Sequence, residues 1–365
     1  MPIFMDRHDL PESVTAEEVA RLHQEDLKVE DDFGCKGLTY WFDEQRRTAF
    51  CLVKAPNKQA LVDMHNHAHG AVPNSIVEVD PSIVESFLGR IEDPVKAKNT
   101  DLNIINDPAF KVLMIIELKN YNLSGVSQPA YQENLRNFQN KIYDLVAQYK
   151  GRSVQSIAHN YLFSFDSVTH ALNCSLAIKR NLEAIMATGP MRDTRLHVGL
   201  SSGVPFEQEE GLFDSAIKVA ENLCNFVYGE IVTTSEVKNL YESENRNIAI
   251  EDSLVRSLHP SDEKFLSDLI TYIECSWCQT DLKVEDFSFN LGLSKAQLYR
   301  KVKSITGKSL NTLLKHYRLE NALELLCKNR GNISEIAFDS GFNSPAYFSK
   351  CFYAKYGILP SELIK

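Results

Sequence analysis

Apolar positions along the first ninety residues change their spacing repeatedly, and each change predicts an element. IFMDRH reads as a short strand, and TAEEVARLHQEDLKV as a helix capped by Thr15 with Glu18 three residues on as a capping box. LTYWF and TAFCLV are β-rich runs on either side of the polar turn DEQRR, which predicts a hairpin. NKQALVDMHNHAHG predicts a helix from Asn57 to Gly70, and SIVEV a closing strand, giving a β-α-β-β-α-β unit of ferredoxin-like type. The polar segment 90-RIEDPVKAKNTDLNIINDP-108 follows as a linker.

A second α/β pattern then runs through strand KVLMIIEL, a helix from about Gln132 to Tyr149, hairpin SVQSIAHNYLFSF, helix VTHALNCSLAIKRNLEAIM, strand RLHVGLSSG, helix DSAIKVAENLCNFV and strand EIVTT. The charged stretch 242-ESENRNIAIED-252 predicts another joint, and from about Pro260 only helical periodicity remains. The expected fold class is α+β multidomain. Its boundaries are 1–90 (ferredoxin-like), 91–108 (linker), 109–243 (α/β), 244–261 (linker) and 262–365 (all-α with two helix-turn-helix units).

Composition adds localisation and charge. No apolar run reaches the roughly 18 residues of a membrane span, and MPIFMDRHDLPES lacks the basic start and apolar middle of a signal peptide, so a cytoplasmic protein is expected. The eight scattered cysteines suit free thiols; Cys275 and Cys278 form a C-x-x-C with no second pair beside it. Of the net charge of −10, residues 262–365 hold 14 basic against 12 acidic residues, leaving 25 against 37 elsewhere. Ser294 to Arg318 carries seven basic residues and no acidic one, a stripe suited to a polyanion.

That stripe lies in one of two similar segments, VEDFSFNLGLSKAQLYRKVKSITG and ISEIAFDSGFNSPAYFSKCFYAKYG. In each, a short helix stops at a glycine (Gly292, Gly341) and another opens at a serine (Ser294, Ser344). With the linking helix LNTLLKHYRLENALELL between them, they closely resemble the DNA-binding domain of the AraC/XylS regulators over about the last 105 residues. The resemblance implies that both second helices enter the major groove of double-stranded DNA. It places Ser294, Lys295, Gln297 and Arg300 on the first reading face and Ser344, Pro345, Tyr347, Ser349 and Lys350 on the second. Arg and Lys match guanine edges and Gln matches adenine, with Lys301, Lys303, Lys308 and His316 assigned to phosphate. Leu298, Val302, Ile336, Ala337, Phe342 and Phe352 fall in the core by the same mapping. The competing reading is a pair of solvated helix faces.

KVLMIIELKNY, KGRSVQSIAHNYLFSF, LHVGLSSG and FDSAIKVAENLC resemble, in order and spacing, class III nucleotidyl cyclases over roughly residues 110–240. That chemistry needs two metal-binding carboxylates, an Asn and an Arg. The matching positions hold Glu117 and His159 (within Ala158-His159-Asn160) for the carboxylates, Gln155 for the purine-reading lysine, Lys218 for the Asn and Asn222 for the Arg. The expectation is a catalytically degenerate, non-enzymatic domain, with no catalytic residues, that pairs two copies into a homodimer.

The histidines of HNHAHG separate on a helix: His65 and His69 share a face and His67 points away. Asp6 and His8 alternate onto one strand face and complete a candidate metal set with His65 and His69, with Cys51 a further donor. MDRHDL, LTYWFDE, FCLVKAP and HNHAHGAVPNSIVEVDPSIVESFLG resemble a small ferredoxin-like family described as nickel-binding, covering residues 1–90. That resemblance favours nickel, where intrinsic affinity favours copper and zinc is a further alternative. The alternative without metal is a helix C-terminus stabilised by protonated histidines.

Taken together, the sequence predicts a cytoplasmic transcription regulator that binds specific double-stranded DNA, touches no membrane and responds to a divalent transition metal or small ligand. The rivals are a nucleotide cyclase with a DNA-binding tail and a metal-buffering protein.

Overall fold

The computed structural model describes residues 1–94, 102–125, 128–154, 161–186, 191, 193–208, 211–246 and 254–364, with the side chains of 184–186 excepted. They divide into two compact units, 1–114 with 146–171 and 201–218, and 115–145 with 172–200 and 219–365.

In the first unit the order is β1 (Ile3–Asp9), α1 (Ala16–Val29), β2 (Lys36–Asp43), β3 (Thr48–Lys54), α2 (Lys58–Ala68), β4 (Ser75–Val79) and α3 (Pro81–Leu88). The strands form an antiparallel sheet in the order β2-β3-β1-β4. Alternation along β1 sends Phe4, Asp6 and His8 to one face, where Phe4 joins Tyr40, Phe42, Cys51, Leu61 and Met64 in a core closed by the two long helices. Two polar residues on the buried side of a strand are the exception that marks the site.

Local signals explain most ends. Thr15 Oγ accepts from the Glu18 N–H at 3.3 Å, but the Glu18 carboxylate turns to Arg21 at 3.3 Å, so the expected capping box is a single cap. Asn57 caps α2 through the Ala60 N–H. The helix α3, not expected from sequence, has an Asp80 cap and Pro81 in its first turn. Residues 102–108, expected to be linker, are held against β2: Asp107 O accepts from Phe42 N–H at 3.1 Å, and the Ile105 N–H donates to the Tyr40 hydroxyl at 2.8 Å. Ile105 itself is buried, so this stretch behaves as an added edge of the core.

The remaining strands, β5 (Lys111–Asn120), β6 (Arg152–Val154), β7 (Tyr161–Phe165), β8 (Thr194–Gly203), β9 (Ile231–Thr233) and β10 (Arg256–Ser257), form a sheet in the order β10-β9-β8-β5-β7-β6. Its helices are α4 (Pro129–Gln148), α5 (Val168–Met186), α6 (Asp214–Phe226) and α7 (Ser235–Glu244). The last occupies the segment expected to lead into a joint. It buries only Val237 and Tyr241, too weak a periodicity to stand out.

The second unit ends in helices only: α8 (Pro260–Ser276), α9 (Val284–Asn290), α10 (Lys295–Thr306), α11 (Leu310–Cys327), α12 (Ile333–Asp339) and α13 (Pro345–Tyr356). The two halves of α11 serve different cores. Leu310, Leu313 and Leu314 pack with α8, α9 and α10, whereas Leu319, Ala322 and Leu326 pack with α12 and α13. The first of these cores also takes Leu223 of α6, Val227 just after it, Val232 of β9 and Leu258. Arg256 fixes the same junction by donating to the carbonyls of Tyr228 at 2.7 Å and Ser304 at 2.7 Å. The described part of 244–261 is therefore packed structure, not a loose connection.

Candidate metal centre and candidate nucleic-acid interface

Three elements bring the N-terminal donors together. β1 supplies Asp6 and His8, β3 places Cys51 directly opposite Asp6, and α2 supplies His65 from its last turn and His69 at its C-cap. Asp6, fully buried, accepts from both imidazoles, His8 Nε2 at 3.1 Å and His65 Nε2 at 3.0 Å. The other ring nitrogen of His65 lies 3.0 Å from Asp26 of α1, which also meets His69 Nε2 at 3.1 Å. The donors form two adjoining sets, Asp6–His8–Cys51 and Asp26–His65–His69, each with its ligand atoms within 4.8 Å of one another. His67 is apart, exposed against Phe33.

Sequence reasoning missed Asp26, although its signal was available. On α1 the buried positions are Val19, Ala20, His23 and Asp26, so two ionisable residues occupy the core face of an amphipathic helix.

The electrostatics follow from this arrangement. Burial pushes the Asp6 carboxyl up, but His8 and His65 outweigh it and hold it well below the usual carboxylate range. Burial acts to lower His65, yet the Asp6 and Asp26 carboxylates prevail and push it up to about 10, so in the metal-free chain it is an imidazolium between two carboxylates. Burial, then Asp6, raises the Cys51 thiol well above its ordinary value. Cys51 is thus the weakest of the expected donors until a cation displaces its proton. Imidazole nitrogens and carboxylate oxygens at this spacing fit a divalent ion of the nickel, copper or zinc group.

At the other site, Ser294 and Ser344 cap α10 and α13 through the N–H groups of Gln297 and Tyr347, both at 3.3 Å. The turns ahead of them use Gly292 and Gly341 at φ +62° and +74°. Ser294, Lys295, Gln297 and Arg300 are exposed together on α10; on α13, Tyr347 and Lys350 are exposed, with Ser344, Pro345 and Ser349 partly so. Leu298, Val302, Ile336, Ala337, Phe342 and Phe352 are buried beneath them.

Several of these groups are committed locally. Gln297 Oε1 accepts from the Ser294 N–H at 3.0 Å, closing a capping box, and Lys295 pairs with Glu285. Lys301 binds Asp262 at 3.1 Å and lies over the Phe265 ring, and Lys303 donates to the Gly307 carbonyl at 2.7 Å. Burial lowers Lys308. Burial, reinforced by Lys355 and Lys308, lowers His316 to about 4, so it is neutral at neutral pH. Sequence reasoning also passed over a cleft of about 290 Å³ lined by Asn311, Lys315, Arg318, Asn343 and Tyr347, because its residues converge from α11, from α13 and from the turn ahead of α13.

His316 shares its depressed state with His197 of β8, lowered to about 4 by burial, Lys119 and Lys308. A histidine whose folded value lies below its unfolded value of 6.5 contributes stability above that value and loses it as pH falls toward about 4. The unfolding midpoint of the second unit is therefore expected to drop between about pH 7 and pH 5, and the double variant His197→Gln, His316→Gln to flatten that slope in a pH series of thermal melts.

Of the positions matched to cyclase chemistry, Glu117 is partly buried against Lys119 at 3.1 Å, Lys218 is exposed and Asn222 is buried. Gln155, Ala158, His159 and Asn160 lie outside the described residues.

Comparison with known proteins identifies both ends of the chain. Residues 288–365 match the family model "Helix-turn-helix domain". This segment is an AraC-type helix-turn-helix domain. Residues 4–79 match "Nickel responsive protein SCO4226-like" and form a SCO4226-like domain. Among curated proteins, the chain is 34% identical over 133 residues to histidine kinase P4 of Formosa agariphila, covering 34% of this chain and 10% of that protein. It is 34% identical over 95 residues to the HTH-type transcriptional activator RhaS of Mannheimia succiniciproducens, covering 26% and 35%. The solved structure of SCO4226 from Streptomyces coelicolor is 32% identical, covering 21% of this chain and 94% of that one, at a TM-score of 0.20. The chain thus spans a tenth and about a third of the length of these two curated relatives. Among the described residues, no helix is long and apolar enough to cross a membrane.

Proposed function

We propose that the protein is a cytoplasmic, sequence-specific DNA-binding regulator of transcription whose N-terminal domain senses a divalent metal ion of the nickel class. The observation that carries this reading is the AraC-type domain, with its two serine-capped helices exposing Ser294, Lys295, Gln297 and Arg300 on α10 and Tyr347 and Lys350 on α13. A relative similar over this region is named as a transcriptional activator, which supports the same role. Ser344, Pro345 and Ser349 complete the second reading face. Phosphate contacts fall to Lys303 and Lys315 at the rim, with Lys301, Lys308 and His316 acting structurally.

The metal would be held by His8, His65, His69, Asp6 and Asp26, and when bound it supplies positive charge where His65 now carries a proton. These residues thereby exchange a buried imidazolium for a cation. Residues 109–243 act without catalysis, since the carboxylate, Asn and Arg positions hold His159, Lys218 and Asn222. They serve to pair two copies, so that metal binding biases the half-site spacing the dimer engages.

Enrichment of genomic fragments by the full-length protein, chelated and nickel-loaded at fixed salt, tests the reading. It predicts discrete enriched sites whose affinity changes with nickel; bulk binding without preferred sites contradicts it, and preferred sites indifferent to nickel contradict its sensory half. On an enriched site, Arg300→Ala should weaken specific binding by about 1–3 kcal/mol while leaving nonspecific affinity little changed. An equilibrium titration showing no loss would remove Arg300 from base recognition.

A further inference from the structure

The C-x-x-C of α8 has no part in the functions above. Cys275 and Cys278 are both free and exposed, one in the last turn of α8 and the other two residues beyond its end. Neither belongs to a metal-ligating group among the described residues. At a separation of three on helical backbone, Cβ atoms stand about 5–6 Å apart on one face, and a disulfide requires about 3.5–4.5 Å. Closing the pair therefore draws Cys278 inward by about 1–2 Å.

That movement acts on a crowded contact. The carbonyls on either side of Cys278 are both held by Arg318 of α11: Nε donates to Trp277 O at 2.7 Å and Nη2 to Gln279 O at 2.5 Å. Gly341, in the turn between α12 and α13, lies against the same carbonyl. A Cβ built there would be 2.6 Å from Trp277 O and 2.8 Å from Arg318 Nε. The end of α8, the middle of α11 and the turn ahead of α13 thus meet at one backbone oxygen, adjacent to a thiol pair open to solvent.

We propose that Cys275 and Cys278 are a reversible dithiol–disulfide pair whose oxidation by a peroxide loosens the seat of the α12–α13 turn. One thiolate attacks a peroxide oxygen, breaking the O–O bond to give a sulfenic acid and one water after proton uptake. The second thiolate attacks the sulfenic sulfur and expels hydroxide, which takes up a proton to give the second water. Two electrons pass from the two sulfurs to the peroxide, and an external dithiol returns them by exchange. The step stands independently of what the helices bind.

The test uses the full-length protein carrying Cys327→Ser and Cys351→Ser, which leaves the C-x-x-C as its only exposed thiols among the described residues. Hydrogen peroxide should remove two alkylatable thiols, yield a peptide linking positions 275 and 278, and speed amide exchange across residues 341–348 by about tenfold, all reversed by dithiothreitol. Adding Cys275→Ser or, separately, Cys278→Ser should leave that exchange unchanged under peroxide. Thiols that stay alkylatable, or that oxidise singly without cross-linking, overturn the pair. A disulfide that forms without changing exchange at 341–348 overturns its coupling to the turn.

Discussion

Asp6→Ala is expected to cost the metal-free protein about 3–5 kcal/mol, the largest effect of any single replacement near the donor cluster. The carboxylate is fully buried and accepts from His8 and His65 at once, while its Oδ1 also takes the Cys51 N–H at 3.3 Å. Truncation leaves His65 charged in the interior with Asp26 as its remaining counter-ion and His8 without its acceptor. Such a loss is a large fraction of the roughly 5–15 kcal/mol that holds a domain folded. Chemical denaturation of the chelated protein provides the check. A change under about 1 kcal/mol would mean that the histidines are held by their own packing and not by the carboxylate. The charged state also gives the site a pH signature opposite to that of His197 and His316. The contribution of His65 is complete below its unfolded value of 6.5 and is lost as pH rises through about 10.

Gly341→Ala is expected to destabilise the helical end of the second unit by about 2–5 kcal/mol. Part is conformational, since φ of +74° costs an L-residue roughly 1–2 kcal/mol. The rest is steric: the added methyl meets the Trp277 carbonyl at 2.6 Å, a backbone atom that cannot swing away, and overpacking of this kind costs about 1–3 kcal/mol. Gly292, in the matching turn of the first helix pair at φ +62°, has nothing within 4 Å of such a Cβ. Gly292→Ala should therefore show only the conformational part. Equal losses for the two variants in denaturant titrations would mean that contact with Trp277 adds nothing.

The helical end was the most legible part of the chain. Gly292, Ser294, Gly341 and Ser344 act through bonds to residues only a few positions away, so spacing alone revealed both pairs of helices. What spacing could not reveal was commitment of these polar side chains: Lys301 reaches Asp262 and His316 is half-buried beside Lys355 and Lys308 through contacts distant in sequence. The donor cluster was half legible for the same reason. Alternation on β1 and the helical step from His65 to His69 are local rules, whereas Asp26 joins them only because α1 packs beside α2 on the sheet. Residues 102–108 and 254–258 read as polar joints because each buries few side chains, Ile105 in one and Val255 with Leu258 in the other, and is otherwise held by backbone hydrogen bonds that leave no periodicity.

In the proposed function α10 and α13 each read DNA. Hydroxyl-radical footprinting of the full-length protein on an enriched genomic site measures it directly. Two protected patches on one face, about 10 base pairs apart, are predicted, with Arg300→Ala weakening one and Lys350→Ala the other. A single patch, or uniform protection unaffected by either replacement, would contradict it.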